Sequence, residues 1–315
     1  MPRRPDDPAA LFAAARAGDR GALARLLSMV ERGGPEAREV GRLSYPSGGT
    51  ATTVGITGAP GAGKSTLTSA LVRSMRGEGE TVAVLAVDPS SPFTGGAILG
   101  DRVRMGEHAL DDDVFIRSMA TRGHLGGLSL AVPEAVRLLD AVGLPWVLLE
   151  TVGVGQVEVE VAGEADTTVV VVNPGWGDAV QANKAGLMEI ADVFVVNKAD
   201  RAGLADTLSD LERMLSLRTS AEGWRPPVVA TVATTGDGVD ELWSAMREHA
   251  AWAASSGELA RRRWARTEAE LRRILTARLL QRATELAEGH AYDDALAAVL
   301  DRRLDPWSAA ATLLD

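Results

Sequence analysis

Apolar residues follow two regimes along this chain. Between residues 52 and 233 they come in short runs with little alternation: TTVGIT, TVAVLAVD, VFIRSMA, LPWVLLE, TTVVVVN, ADVFVVN and PPVVATVA. Unbroken Val and Leu predict strands buried on both faces, as in a parallel sheet. Helical spacing appears between several of them, in TLTSALVRSMRGEG and LSLAVPEAVRLLDAV. Pro133 is expected near the start of the second helix, where a missing N–H costs least. The strand–helix–strand rhythm predicts a three-layer α/β domain with a mostly parallel sheet. Upstream, residues 9–34 read as helical, and EVGRLSYPSGGTA, residues 39–51, as a linker. From about Val239 the pattern is helical to the end, with acids and bases mixed as on solvated faces. Three parts are expected: 1–51 as a helical extension and linker, 52–250 as the α/β domain, and 251–315 as a second helical extension.

The first strand runs into GAPGAGKST, which fits G-x-x-x-x-G-K-[ST] at Gly58, Gly63, Lys64 and Ser65. A loop of this kind turns backbone N–H groups toward phosphate oxygens, and the following helix points its N-terminus at the same charge. Gly58, Ala59, Pro60, Gly61, Ala62, Gly63, Lys64, Ser65 and Thr66 are therefore expected to cradle the phosphates. Lys64 is expected to reach the β and γ phosphates, and Ser65 to give its hydroxyl to Mg²⁺. A glycine turn that carries a lysine by chance would not need strand, motif and helix in this order. The domain thus reads as a P-loop NTPase.

Two carboxylates end apolar strands: Asp88 in AVLAVD and Glu150 in WVLLE. In parallel sheets ligands sit beyond the carboxyl ends of the strands, so both acids belong on the cradle side. A hydrated Mg²⁺ on phosphates takes one or two carboxylates. It also explains a charge directly after the run Leu144–Leu149. Asp101, in ILGDRVRM, is a third metal and catalytic candidate; a surface acid paired with Arg102 or Arg104 remains the alternative. Gly153 and Gly155 follow Glu150 closely. A glycine at 153 lets backbone approach a γ phosphate. Gln156 is a candidate for positioning water.

VFVVNKAD places Asn197, Lys198 and Asp200 after a buried strand. A carboxylate at 200 accepts from guanine N1–H and its exocyclic amine, and repels adenine, which offers an acceptor at N1. Lys198 lays its stem on the base, and Asn197 braces neighbouring loops. This predicts GTP rather than ATP. Thr231, Val232 and Ala233 lie where a last base loop belongs; a turn without ligand contact is the alternative.

Composition narrows the classes. Formal net charge is -10, which disfavours non-specific nucleic-acid binding. The chain has no cysteine, and its four histidines are scattered, so neither disulfides nor a structural zinc site is expected. No signal peptide and no membrane span are read, and a cytoplasmic location is the default expectation.

GAPGAGKST, LAVDPSSPFTGGAILGDRVRM, ETVGVGQVEVEVA and NPGWGDAVQANKAGLMEIADVFVVNKAD together resemble the MeaB/ArgK family of P-loop GTPases over about residues 20 to 250. The resemblance implies a chaperone for an adenosylcobalamin-dependent acyl-CoA mutase, chiefly methylmalonyl-CoA mutase, that uses GTP and Mg²⁺ to gate cofactor loading and protection. It implies that Lys64, Ser65, Asp88, Asp101 and Glu150 serve phosphate and magnesium, and that Asn197, Lys198 and Asp200 serve guanine. It further implies a partner-sensing switch with Asp178, Lys184 and Glu189, a homodimer held by helical extensions, and slow hydrolysis without the partner. The chain departs from the family at Val232, where a serine is usual. A metallochaperone GTPase and an arginine/ornithine transport-related kinase are the alternatives; the first is disfavoured by the absence of clustered Cys or His.

Overall fold

The computed structural model describes residues 7–88, 106–108, 110–120, 127–151, 163–175, 189–216 and 223–314, and not the side chains of 88, 120 and 127–130. Seven strands form one sheet: β1 (Thr52–Gly58), β2 (Val82–Asp88), β3 (Val114–Ala120), β4 (Trp146–Thr151), β5 (Thr167–Val172), β6 (Val193–Asn197) and β7 (Val228–Thr231). Their order is β3-β2-β4-β1-β5-β6-β7. Every pairing among these strands is parallel. The central strands are buried along nearly their whole length, which is why their sequences lack alternation.

Alternate residues of each strand serve opposite layers. Val54, Ile56, Leu148, Val169 and Val171 pack with helices α4 (Lys64–Gly77) and α7 (Val239–Ser256). Ala83, Leu85, Val87, Val147 and Leu149 face the other side, against α1 (Pro8–Arg16), α2 (Arg20–Arg32), α3 (Gly34–Ser44) and α5 (Gly127–Ala141). Val170, Val172, Phe194 and Val196 join α6 (Leu204–Ser216) on that second side. The sheet is thus the middle of three layers.

Two expectations are corrected. The stretch 39–51 is not all linker: α3 continues to Ser44, and a short 3₁₀ turn follows at Tyr45–Ser47. Ala37, Val40 and Ser44 are buried at helical spacing, and their contact with the layer around α5 outweighs the nearby glycines. Pro133 sits well inside α5, in its second turn, rather than near the start. Proline there forfeits one intrahelical bond, and burial of Val132, Ala135, Leu138 and Leu139 compensates.

The far end of the sheet, away from the phosphate loop, carries a buried charge cluster. Asp166 and Asp192 precede β5 and β6 and are nearly inaccessible. Arg263 and Arg266 pair with Asp166, Arg263 at 2.7 Å. Arg262 holds Asp192 with two bonds of 2.7 and 2.8 Å, and His249 Nε2 lies 3.2 Å from it. These arginines belong to the first turns of α8 (Glu258–Leu286). Arg263 also donates to the carbonyls of Gly49 and Ala51. Asp140 takes the N–H groups of Gly49 and Ala51, so this stretch of chain entering β1 is held from both sides.

Burial alone would raise both aspartates, but Arg263 and Arg266 at Asp166, and His249 and Arg262 at Asp192, hold them below the ordinary range. Hydrogen bonding from Arg261 leads the causes that bring Glu258 down to about 2. A carboxylate depressed on folding adds stability above its unfolded pKa, about 4, and loses it as pH falls through the folded value. Stability should therefore be level above about pH 4.5 and decline toward pH 2. Asp192→Asn should cost up to about 3 kcal/mol at neutral pH and flatten the acid limb of the curve, read by denaturant unfolding against pH.

The chain divides into two compact units, 1–266 and 267–315. The second comprises the remainder of α8, α9 (His290–Leu300) and α10 (Pro306–Leu314). No helix among the described residues is long and apolar enough to cross a membrane.

Candidate nucleotide site

Strand β1 ends at Gly58, and α4 begins at Lys64, so residues 59–63 span one tight loop at the carboxyl edge of the sheet. Gly63 caps the first turn of α4 with φ 89°, and among the described residues no side-chain cap is made there. Those N–H groups and the helix dipole are therefore available to an anion. Gly58 has φ 133°, and a Cβ there would lie 2.0 Å from the Val171 carbonyl oxygen. A Cβ on Gly63 would lie 2.5 Å from Asn197 Nδ2. The loop is packed so closely on β5 and on the end of β6 that only glycine fits. Gly58→Ala should lower the melting temperature by several degrees even without nucleotide, because backbone must move. Thermal unfolding of the two proteins checks this.

Lys64 Nζ is buried and donates to the Gly58 carbonyl at 2.6 Å and to Ala59 at 3.4 Å. Its ammonium thus lies inside the loop it closes. Ser65 donates its hydroxyl to Glu150 Oε1. Glu150 pairs in register with Ile56 of β1 on one side and Ala86 of β2 on the other. By strand alternation it shares the face of Leu148, the face that α4 covers. That parity is what brings an acid at the end of an apolar run to the serine of the phosphate loop. Glu150 is 1% exposed.

The base side is wired to the phosphate side through Asn197 and Lys198. Asn197 Nδ2 donates to the Ala62 carbonyl at 2.8 Å, while its Oδ1 accepts from Thr231 Oγ1 and the Ala233 N–H, both at 3.2 Å. Lys198 takes the left-handed conformation, φ 61°, and its Nζ donates to Gly61 O at 2.6 Å. The Ala199 N–H is held by Thr231 O, so Asp200 stands on a fixed, exposed turn. The Val232 N–H goes to Asp237 O. Val232 therefore sits in a bridged turn, and its missing hydroxyl leaves Asn197 fully engaged.

The structure thus gathers Gly58–Thr66, Glu150, Asn197, Lys198, Asp200 and Thr231–Ala233 at one edge. Strand β2 carries Asp88 at the same edge by backbone position. Asp101, Gly153, Asp178 and Lys184 lie outside the described residues. Glu189 is exposed, just ahead of β6. The part of Val171 as the wall behind Gly58 has no signal in the sequence beyond its burial.

The donor set fits a magnesium–nucleotide complex: a hydroxyl and a carboxylate in contact, beside a lysine and an uncapped helix terminus. A family model described as "Methylmalonyl Co-A mutase-associated GTPase MeaB" matches residues 23–288. A putative GTPase of Pyrococcus horikoshii is 50% identical over 302 residues, covering 95% of this chain and 94% of its own. The mitochondrial methylmalonic aciduria type A homolog of Mus musculus is 41% identical over 217 residues, 67% of this chain and 52% of its own. Among solved structures, the crystal structure of an LAO/AO transport system kinase matches with a TM-score of 0.73 and 29% identity, covering 99% of this chain and 98% of its own. This chain belongs to the MeaB family of P-loop GTPases, the GTP-binding and GTP-hydrolysing chaperones associated with methylmalonyl-CoA mutase.

Proposed function

We propose that this GTPase gates the loading and protection of adenosylcobalamin on an acyl-CoA mutase, with methylmalonyl-CoA mutase the first candidate. The reading is carried by the convergence of Lys64, Ser65, Glu150 and Asn197 in a chain that matches a family named for that mutase. The mouse relative's name, which refers to methylmalonic aciduria, supports the same partner. The cytoplasm, where GTP is available, is the proposed setting.

Residues of the chain divide the chemistry. Loop residues 58–66 wrap the phosphates with backbone N–H groups. Lys64 leaves its carbonyl partners to neutralise the β and γ phosphates. Ser65 and Glu150, with Asp88 and Asp101, hold Mg²⁺, which supplies charge neutralisation at the phosphates when bound. The Gly153 backbone lines the γ phosphate. Asp200 accepts the two guanine hydrogens, Lys198 covers the base face, and Asn197 fixes both loops. Neither Lys64 nor Ser65 is suited to take a proton from water, so hydrolysis by in-line attack is slow until a partner orders the site. Asp178, Lys184 and Glu189 are assigned to the segment that senses the partner.

A homodimer through residues 251–315 is part of the proposal. Leu271, Leu275 and Leu279 recur at helical spacing on α8 and are exposed, as is Trp264. A second copy would bury such a stripe.

Hydrolysis of GTP and of ATP, each with and without the candidate mutase, tests the reading. GTP should be preferred, and the mutase should raise its turnover by at least about tenfold. Turnover that is already fast alone and indifferent to the mutase would reject it.

A further inference from the structure

We propose that Asn173 is a positioning residue for guanine-nucleotide binding: its amide oxygen, at the end of β5, takes the ammonium of Lys198 where that side chain crosses to the phosphate loop. The proposal rests on the reading that Lys198 covers the guanine face.

The sheet order fixes the crossing. Strand β5 lies between β1 and β6. Lys198 follows β6, yet its Nζ donates at 2.6 Å to Gly61 O, in the loop that follows β1. Its side chain therefore spans two strand spacings, roughly 10 Å, over the carboxyl end of β5. A Cβ on Gly63 would lie 3.6 Å from Lys198 Cε, so the stem rests on the loop itself. Asn173 is the first residue beyond β5. Val172, just before it, pairs with Val196, so Asn173 comes level with Asn197 and lies beneath the crossing.

Asn173 Oδ1 is buried and meets no hydrogen-bond donor among the described residues. Buried acceptors are seldom left so, and at a site edge such an atom points to a partner engaged in function. Its backbone is held in place. Pro174 keeps the residue before it extended. The Gly175 N–H donates to Thr207 Oγ1 at 3.1 Å, and the same hydroxyl donates to Gly203 O at 3.0 Å. Thr207 is buried in the first turn of α6, the helix that follows the base motif. The turn that carries Asn173 is thus tied to the base side. An ammonium has three donors, and Gly61 O takes one of them. A base laid on the lysine stem strips water from that ammonium, and the carboxamide oxygen beneath replaces what water gave. The bond gains strength when nucleotide is bound, so Asn173 contributes to affinity rather than to the fold.

Titration of fluorescent GDP into wild type, Asn173→Ala, Lys198→Met and the double variant tests this, with melting temperatures taken without nucleotide. Asn173→Ala should weaken GDP binding about tenfold. Its melting temperature should stay level or rise, because a buried acceptor without a partner is removed. Lys198→Met keeps an apolar stem and removes the ammonium. In that background Asn173→Ala should change GDP affinity by less than about twofold. A weakened Lys198→Met beside a wild-type Asn173→Ala would overturn the role of Asn173 and leave the base reading standing. Wild-type affinity in Lys198→Met would overturn the base reading and the role of Asn173 with it. An Asn173→Ala loss that persists undiminished in the Lys198→Met background, or a lowered melting temperature without nucleotide, would reject action through the ammonium.

Discussion

Lys64→Ala lowers GTP turnover at saturating nucleotide by about 10²–10³-fold, the loss typical of removing a preorganised charge from developing transition-state charge. The expectation follows from where the ammonium sits. It is buried, bonded to Gly58 O at 2.6 Å, and enclosed by a loop that a Cβ at Gly58 or Gly63 would break. Replacing it removes the ammonium that lies inside that loop and leaves the phosphate charge largely to backbone N–H groups. The fold is set elsewhere, by the strand layers on either side of the sheet, so the melting temperature should fall by only a few degrees. Phosphate release with GTP and Mg²⁺ in excess measures the effect. A rate within threefold of wild type would mean that Lys64 does not meet the transferring phosphoryl group.

Asp200→Asn carries the second large effect. The carboxylate stands on an exposed turn whose backbone is fixed by the left-handed Lys198, the Ala199 N–H to Thr231 O bond and the Arg201 N–H to Lys198 O bond. A charged acceptor of two hydrogen bonds is replaced by an amide that can accept one and donate one. GTP affinity should fall by about 10²-fold or more, since each hydrogen bond to a charged group is worth about 1.5–3 kcal/mol. XTP affinity should rise, because the amide N–H meets the xanthine oxygen. Competition of both nucleotides against a fluorescent GDP reads the change. An unaltered GTP to XTP ratio would remove Asp200 from the base site.

Much of this site is legible in the sequence because its parts are local. Strand, glycine loop, Lys64 and Ser65 are consecutive, and N-K-x-D closes a strand of five buried residues. The acid at 150 is legible because strand alternation fixes its face, and the apolar run before it fixes its depth. What the sequence hides is set by partners distant along the chain. Arg262 meets Asp192 across 70 residues, and Arg266 meets Asp166 across 100. On a helix rich in arginine, no spacing rule separates these two from their solvated neighbours. The helix through Ser44 is hidden for another reason: its glycines and Pro46 argue for a linker, and only burial of Ala37 and Val40 against the layer formed by α2 and α5 decides otherwise. Asn197 as the joint between base and phosphate loops is half legible. Its position follows from the motif, but its three partners, Ala62 after β1, Thr231 at the end of β7 and Ala233 just beyond it, are brought together only by the sheet order β1-β5-β6-β7.

In the proposed function, Lys64, Ser65 and Glu150 surround one magnesium–triphosphate complex. A crystal structure with Mg²⁺ and a non-hydrolysable GTP analogue tests it most directly. The expected structure has Lys64 Nζ on the β and γ phosphate oxygens, Ser65 Oγ on the metal, and the Glu150 carboxylate on the metal or its water. A nucleotide bound elsewhere, or a Glu150 turned away from the cation, would contradict it.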